Sequence, residues 1–477
     1  MKKEQSRRSF IKTGSLAAAG FMIIPRHVLG GKGFIAPSDQ LVVAGIGVGG
    51  KGEGDLLAFH ESGKAAIAYL CDVDEKQAAN SFKRFPQAKR YKDFREMLEK
   101  EHRHIDAVSV SSPDHNHAIQ ALAAMQLGKH VYVQKPLTHD IWEARVLTDA
   151  AKRYQVVTQM GNQGASNDGP RLVREWIEAG LIGDVHTVYC WSNRPSWPQG
   201  RPWPSQTAAV PGTLDWELWL GTAPRKDYVD KLVPFNWRGW WDYGTGALGD
   251  MGCHMLEVPF SALGLQYVEN VKATVGTSFN EAGQLEYFPE SCPASSYAVL
   301  TFPKTARTTG PVKLYWMDGG IQPERPDELQ ENEPFGDGGN GTLIVGTKGK
   351  IVSDTYGDNA RLLPTSRMIE TKNVKPQYAR VEGQAGGHYR QWVEACLAGY
   401  GNKDLSAPFE ISGPLTEALL MANLAIRGAG LKGDGSYPMR NRKLLWEHQQ
   451  MKVSNYDELN AFVRRQYPQG WEVNYRF

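Results

Sequence analysis

The stretch Gln40-Leu41-Val42-Val43-Ala44-Gly45-Ile46-Gly47-Val48-Gly49-Gly50-Lys51-Gly52 decides the fold. Residues 40–46 are an apolar run of strand length. The spacing G-x-G-x-x-G follows in Gly47, Gly49 and Gly52. A second register, Gly45, Gly47 and Gly50, also fits, but the first leaves Gly45 inside the strand and puts the turn at its end. A helix is predicted over 53–61. Glycines in such a turn let the backbone bend tightly and approach a pyrophosphate held at the helix N-terminus. On this reading Gly47, Val48, Gly49, Gly50 and Gly52 form a dinucleotide-binding loop. The context agrees: a second strand over 65–71 runs into Asp72, 20 residues after Gly52. An acid at that spacing hydrogen-bonds the adenosine ribose hydroxyls. Val73 and Asp74 follow, with no arginine for a 2′-phosphate, which favours NAD over NADP. The plainer reading of Asp72 is a strand-end cap.

Working outward, the alternation continues. Helices are expected over 93–99, 118–127 and 141–154, and strands over 106–111, 130–133 and 156–160. Strands alternating with helices imply a parallel sheet covered on both faces, with ligands at the carboxyl ends of the strands. Three segments fall there: Ser111-Ser112-Pro113-Asp114-His115-Asn116-His117, Gln134-Lys135-Pro136, and Gly161-Asn162-Gln163. Ser112, Pro113, His117 and Gln134 are candidate cofactor contacts. His115 and His117 are a conceivable metal pair, but no cysteine or carboxylate completes a ligand set nearby, so a loop role is favoured and no metal site is expected.

At 477 residues the chain exceeds the about 250–300 at which single cores stop growing. The net charge of +2 comes from the start of the chain, because residues 1–30 carry six basic residues and Glu4. The remainder holds 48 basic and 51 acidic residues, net −3, with no block of like charge. A phosphate-tracking basic face is therefore not indicated, and no nucleic-acid partner is expected. The five cysteines, Cys71, Cys190, Cys253, Cys292 and Cys396, are far apart and form no CxxC, which points to neither a disulfide framework nor a zinc site. Ser6-Arg7-Arg8-Ser9-Phe10-Ile11-Lys12 precedes a short apolar stretch, 16–24, and Pro25. A charged start and an apolar core this short make a signal peptide over 1–30, not a membrane anchor. The paired arginines resemble a twin-arginine signal, so export and a periplasmic location are expected.

Three further segments carry a family resemblance. They are Gly128-Lys129-His130-Val131-Tyr132-Val133-Gln134-Lys135-Pro136-Leu137, Gly244-Thr245-Gly246-Ala247-Leu248-Gly249-Asp250-Met251-Gly252-Cys253-His254, and Gly341-Thr342-Leu343-Ile344-Val345-Gly346-Thr347-Lys348-Gly349-Lys350. With the glycine loop, and in this order, they make the chain similar to the glucose–fructose oxidoreductase / inositol dehydrogenase (Gfo/Idh/MocA) family from about residue 38 onward. The resemblance implies an α/β protein: an N-terminal NAD-binding Rossmann domain over 38–162, and a C-terminal α+β domain over 163–477 with a large, mostly antiparallel open sheet. It also implies a homo-oligomer formed through that sheet and a lysine–histidine catalytic pair, Lys135 and His254. Two departures stand out: Gln134 replaces the family's usual glutamate, and Glu257 stands where aspartate is frequent. The Lys135–Pro136 bond is often cis in the family.

The chemistry of these residues is coherent. Hydride leaves an alcohol carbon only as the hydroxyl proton is lost, which calls for a base within reach and a cation beside the developing alkoxide. Asp250 and His254, four apart on a helix, share a face, so Asp250 is expected to hold the His254 tautomer and support its proton. Lys135 suits the alkoxide, and either Lys135 or His254 is the base. The catalytic set is thus Lys135, Asp250 and His254.

Residues 191–241 hold eight of the 14 tryptophans among seven prolines. Aromatic faces in loops beside a site suit sugar rings, with Asn193, Arg194, Asn236 and Arg238 for the hydroxyls. Alternatively, these tryptophans pack long, proline-stiffened loops. Trp216 and Trp219 read as the core of a short helix. The candidate substrate contacts are Asn162, Gln163, Trp197, Trp203 and Arg238. Strands are expected over 271–279, 296–302, 312–316 and 342–352, a long loop over 319–340, and helices over 388–397 and 415–427.

The leading expectation is an NAD-dependent oxidoreductase acting on a sugar, cyclitol or glycoside. No free NAD pool recycles cofactor in a periplasm, so the cofactor should be retained. The alternatives are a redox-neutral NAD-dependent glycosidase or epimerase, or a non-catalytic carbohydrate- or NAD-binding homologue.

Overall fold

The computed structural model describes residues 39–477; the expected signal peptide lies outside the described residues. β1 (Leu41–Ile46), α1 (Lys51–Glu61), β2 (Ala65–Cys71), α2 (Glu75–Arg84), β3 (Lys89–Tyr91), α3 (Phe94–Glu101), β4 (Ala107–Val110), α4 (His117–Gln126), β5 (His130–Val133), α5 (Ile141–Tyr154) and β6 (Thr158–Met160) alternate along the chain. Their strands form one parallel sheet in the order β3-β2-β1-β4-β5-β6. The strands are apolar and buried at most positions, as a sheet covered on both faces requires. Local chemistry sets the helix starts. The Asp74 carboxylate accepts the Lys76 amide N–H at the head of α2, and Asp140 with Glu143 makes a reciprocal capping box on α5. The strand order reverses between β1 and β4, so the crevice for a ligand opens between their carboxyl ends.

After α6 (Asp168–Glu178) comes β7 (Val185–Trp191), and then the tryptophan-rich segment with its one short helix, α7 (Trp216–Leu220). Next are α8 (Gly246–Met255), α9 (Glu257–Leu263), β8 (Asn270–Val275), β9 (Ser296–Phe302), β10 (Val312–Met317), β11 (Gly341–Gly346), β12 (Gly349–Ser353), β13 (Arg361–Leu363), α10 (Gln384–Ala398), α11 (Phe409–Gly430), β14 (Leu444–Glu447) and β15 (Lys452–Val453). The second sheet has nine strands in the order β13-β12-β11-β7-β10-β9-β8-β14-β15. Its pairs are antiparallel except for β7 with β10. The expected α/β class, with a Rossmann sheet followed by a large, mostly antiparallel one, is what the chain forms. Residues 319–340 contain no strand, and Leu329 and Phe335 from this loop pack on the β7–β11 end of the sheet.

Several boundaries differ from the sequence reading. α1 begins at Lys51, two residues earlier than expected, so the glycine loop runs directly into it. α2 and β3 were not anticipated, because α2 is polar on most faces and β3 is a three-residue edge strand. α11 begins at Phe409 rather than 415 and carries Pro414 within it. Ser412 Oγ donates to the Pro408 carbonyl, and Pro414 falls near the helix start, where a missing N–H costs least.

Candidate active site

The glycine loop meets its constraints by contact. Gly47 has φ +73°, and a Cβ there would sit 2.6 Å from the Ser112 amide nitrogen. A Cβ on Gly52 would sit 1.9 Å from the Gly47 carbonyl oxygen. The loop is therefore folded on itself and against the turn after β4 as only glycine permits. No side chain caps the head of α1; the Gly52 amide donates back to the Gly49 carbonyl at 3.0 Å, and the uncapped helix end favours an anion. Asp72 Oδ2 accepts the Val48 and Gly49 amides at 2.8 and 3.1 Å, and Oδ1 accepts that of Asp74 at 2.9 Å. Burial raises the Asp72 carboxyl to about 6, with the three amide donors opposing the rise and the Asp74 charge adding to it. An uncapped helix head and an ionisable carboxylate at the end of β2 fit a dinucleotide: the loop for its pyrophosphate, Asp72 for a ribose.

A cavity of about 620 Å³ opens from this loop. Gly47, Gly49, Gly50, Asp72, Ser112, Pro113, Gln134, Lys135, Gln163, Trp197, Arg238, Asp250 and His254 all line it. Three of the four segments that carried the family resemblance thus supply one cleft, and the fourth, β11, lies in the second sheet. Arg194 lines the cleft, whereas Asn193 and Asn236 do not.

At its floor Lys135 Nζ donates to Asp250 Oδ1 at 2.7 Å and to the Asp250 carbonyl at 2.8 Å. The peptide bond from Lys135 to Pro136 is cis. Arg238 Nε lies 3.4 Å from the same carboxylate oxygen, its guanidinium stacked over Phe235 and Trp237. Burial pushes the Asp250 carboxyl up, but Lys135 and Arg238 outweigh it and hold the group below the ordinary carboxylate range. His254 is buried and packs edge-on against Tyr356, with ring centroids 4.9 Å apart. Burial, reinforced by Lys135, lowers its pKa to about 3, so the ring is neutral.

This corrects the expected Asp250–His254 pair. The two do share a face of α8, but Asp250 is taken by Lys135 and Arg238, and His254 Nδ1 has no hydrogen-bond partner among the described residues. Lys135, which reaches the carboxylate from the turn after β5, wins because two full charges attract more than a charge and a neutral ring.

Other candidates move as well. His117 does not line the cleft; it bridges the Pro136 and Ser112 carbonyls at 2.8 and 2.7 Å and so ties the turn after β4 to Lys135's own turn. Val48 and Gly52 act through the loop backbone rather than as cleft walls. Asn162 is buried outside the cleft wall, and its amide makes no hydrogen bond within the described residues. Trp203 is also outside: it packs edge-on against Trp240 under Lys226, in an aromatic cluster that fixes the loops. Trp197 and Trp237 do line the cleft, and so does Trp219, which read as helix core. No group of three or more His, Cys, Asp or Glu residues among the described residues is arranged to hold a metal ion.

Sequence reasoning missed Asp55, Tyr356 and Trp471. Asp55 is fully buried on α1, and its carboxylate receives Lys51 Nζ (2.7 Å), Tyr389 OH (3.0 Å), Ser111 Oγ (2.9 Å) and Gln134 Nε2 (2.8 Å). An acid on the buried face of α1 was the available signal. Tyr356 and Trp471 line the cleft from distant loops that carry no motif.

Residues 41–162 match the model of an oxidoreductase family with an NAD-binding Rossmann fold, and residues 180–281 match that family's C-terminal alpha/beta domain. A glycosyl hydrolase family 109 protein of Shewanella pealeana is 27% identical over 203 residues, 38% of this chain and 44% of that protein. Levoglucosan dehydrogenase of Pseudarthrobacter phenanthrenivorans is 25% identical over 192 residues, 40% of each. The matched stretches thus span less than half the length of these relatives. The WlbA dehydrogenase of Bordetella pertussis, solved with NADH and UDP-GlcNAcA, superposes with a TM-score of 0.55 over 81% of this chain and 97% of that one, at 16% identity. That likeness is one of fold. The chain thus matches both domains of the Gfo/Idh/MocA oxidoreductase family, in order, over residues 41–162 and 180–281.

Proposed function

We propose that the protein is an NAD-dependent oxidoreductase that takes hydride from a hydroxyl-bearing carbon of a sugar, cyclitol or glycoside. One observation carries this: the Lys135–Asp250 ion pair and the neutral His254 face the same cleft as the glycine loop and Asp72. A bound nicotinamide supplies the hydride acceptor. His254, neutral at rest, accepts the hydroxyl proton, a step that burial and Lys135 oppose and the Asp250 charge favours. Lys135, oriented by Asp250, sets a cation beside the oxygen as it gains charge. Trp197, Trp237 and Tyr356 offer aromatic faces to a ring, and Arg194, Arg238 and Gln163 offer donors to hydroxyls.

Asp72 at the end of β2, followed by Val73 and Asp74 with no adjacent arginine for a 2′-phosphate, supports NAD rather than NADP as the cofactor. The twin-arginine pattern supports export to a periplasm with the cofactor retained. A homo-oligomer through the nine-stranded sheet completes the proposal. Among the described residues no helix is long and apolar enough to cross a membrane. A second reading, a redox-neutral glycosidase cycle, draws support from the family 109 relative. Screening sugars and glycosides with the purified protein, following nicotinamide absorbance and product mass together, tests both. Oxidised sugar supports the first reading, cleaved glycoside without net reduction supports the second, and neither product overturns both.

A further inference from the structure

We infer that residues 213–222, with Trp471 from the C-terminal tail, form a second wall of the dinucleotide site and govern how slowly the cofactor leaves. This rests on the proposed NAD binding but not on any substrate. The segment is pinned at both ends. At one end it pairs with the chain leaving β2: the Glu75 amide donates to the Thr213 carbonyl at 2.9 Å, the Asp215 amide donates to the Val73 carbonyl at 2.8 Å, and an antiparallel bridge joins Asp74 and Leu214 between them. At the other end it is held by the turn after β4. The Asn116 amide donates to the Trp219 carbonyl at 3.0 Å, its Oδ1 accepts the Thr222 amide at 3.1 Å, and Thr222 Oγ1 donates to the His115 carbonyl. Gly221, at φ +50°, lies so close to Asn116 that a Cβ there would meet its Oδ1 at 2.3 Å.

The sheet order gives these anchors their meaning. β1 lies between β2 and β4, so a segment tied to the ends of β2 and β4 must cross the carboxyl end of β1. That is where the glycine loop stands. The underside of the strap, Leu218 and Trp219, lines the same cleft as Gly47, Gly49 and Asp72. Trp216 stacks on Trp219 with centroids 4.8 Å apart and planes 14° from parallel, which stiffens it. Beyond β2, Trp471 lines the cleft beside Phe94, with Arg95 stacked 4.2 Å over its ring. Asp72 marks the adenosine end of a dinucleotide, so these groups offer apolar contact to an adenine and its ribose. A cofactor beneath them leaves only when the strap or the tail lets go, and opening the strap at Asn116 breaks two hydrogen bonds at once.

The test uses the full chain and NADH. Release is followed by nicotinamide fluorescence after a chase with excess NAD, for the parent, Asn116→Ala and Trp471→Ala, with circular dichroism as the check on folding. Hydrogen exchange of residues 213–222 is read with and without NADH in the unaltered protein. The inference expects release to quicken about tenfold or more in either variant, as the loss of about 1–2 kcal/mol of contacts implies, and strap amides to exchange more slowly with NADH bound. Release within twofold of the parent in both variants, or strap exchange indifferent to NADH, overturns it while leaving the proposed function standing. A protein that does not bind NADH at all overturns both.

Discussion

Gln134 Nε2 donates to Asp55 Oδ2 at 2.8 Å, and this contact accounts for the departure from the family's glutamate at position 134. A carboxylate at 134 would face the fully buried Asp55 carboxylate at hydrogen-bond distance. The amide satisfies Asp55 instead, leaving Asp250 as the hydrogen-bonded carboxylate of Lys135. The substitution is therefore a matched local arrangement and no sign of a degenerate site.

The match can be tested by exchange. Gln134→Glu alone forces two buried carboxylates together, so one must take up a proton. It should lower stability by about 3 kcal/mol, the order expected for an uncompensated buried charge, and weaken NADH binding, with the defect growing as pH rises. Asp55→Asn combined with Gln134→Glu should recover most of both. Denaturant melts and NADH titration across pH measure this. A double variant no better than the single one would refute the pairing.

Lys135 and His254 are predicted to matter to chemistry more than to cofactor binding. Lys135→Met and His254→Ala should each lower hydride transfer by about 10²–10⁴-fold while NADH affinity changes little. Asp250→Asn should lower transfer through a misplaced lysine. Stopped-flow single turnovers separate these effects from binding, and full turnover in either Lys135→Met or His254→Ala would remove the assigned roles.

Asp72 gives cofactor affinity a pH dependence. Its carboxyl is raised to about 6 by burial against its amide donors. Below about pH 6 it is protonated and no longer accepts from a ribose hydroxyl as an anion does, so NADH affinity should fall as pH drops through that value. Asp72→Asn should bind weakly at pH 8 and lose the dependence. Calorimetric titration at several pH values is the measurement.

Glu257 on α9 offers a test of stability. Burial pushes its carboxyl up to about 8, against weaker opposition from Ser261 and Arg171, and Oε2 has no hydrogen-bond partner among the described residues. A folded pKa above the unfolded value means that this group's contribution is fully present below the unfolded pKa and is lost as pH rises toward 8. Glu257→Gln should therefore melt a few degrees higher than the parent at pH 8–9 and gain nothing near pH 4. Thermal melts across that range decide it.

The tryptophans divide by place. Trp197→Ala should raise KM for a sugar several-fold with kcat little changed, because Trp197 walls the cleft. Trp203→Ala should leave KM unaltered and lower the melting temperature, because its ring belongs to the loop cluster. Steady-state kinetics and a melt on the two variants separate the roles.

The parallel sheet was legible because its strands are short apolar runs ending in Gly47, Asp72 and Ser111, and period and punctuation agree there. The cleft was legible through glycine spacing and the Lys135 and Asp250 segments. The partner of Asp250 was not. Helical spacing relates Asp250 to His254, whereas Lys135 arrives from β5 by a tertiary route that no local pattern encodes. Trp203 and Trp219 exchanged expected places for the same reason: composition locates an aromatic cluster, and only the docking of 213–222 across β1 determines which ring faces inward. Trp471 carried no signal at all, since a tail residue acquires its neighbours only when the chain is folded.

The most direct test of the central claim is a single-turnover experiment on the purified protein with NAD, a panel of sugars and glycosides, and nicotinamide absorbance as the readout. The account predicts that at least one hydroxylated ring substrate reduces NAD in the parent protein, and that Lys135→Met and His254→Ala with NAD still bound do not. Absence of reduction across the panel in a parent that binds NAD, or equal reduction in the variants, would contradict it.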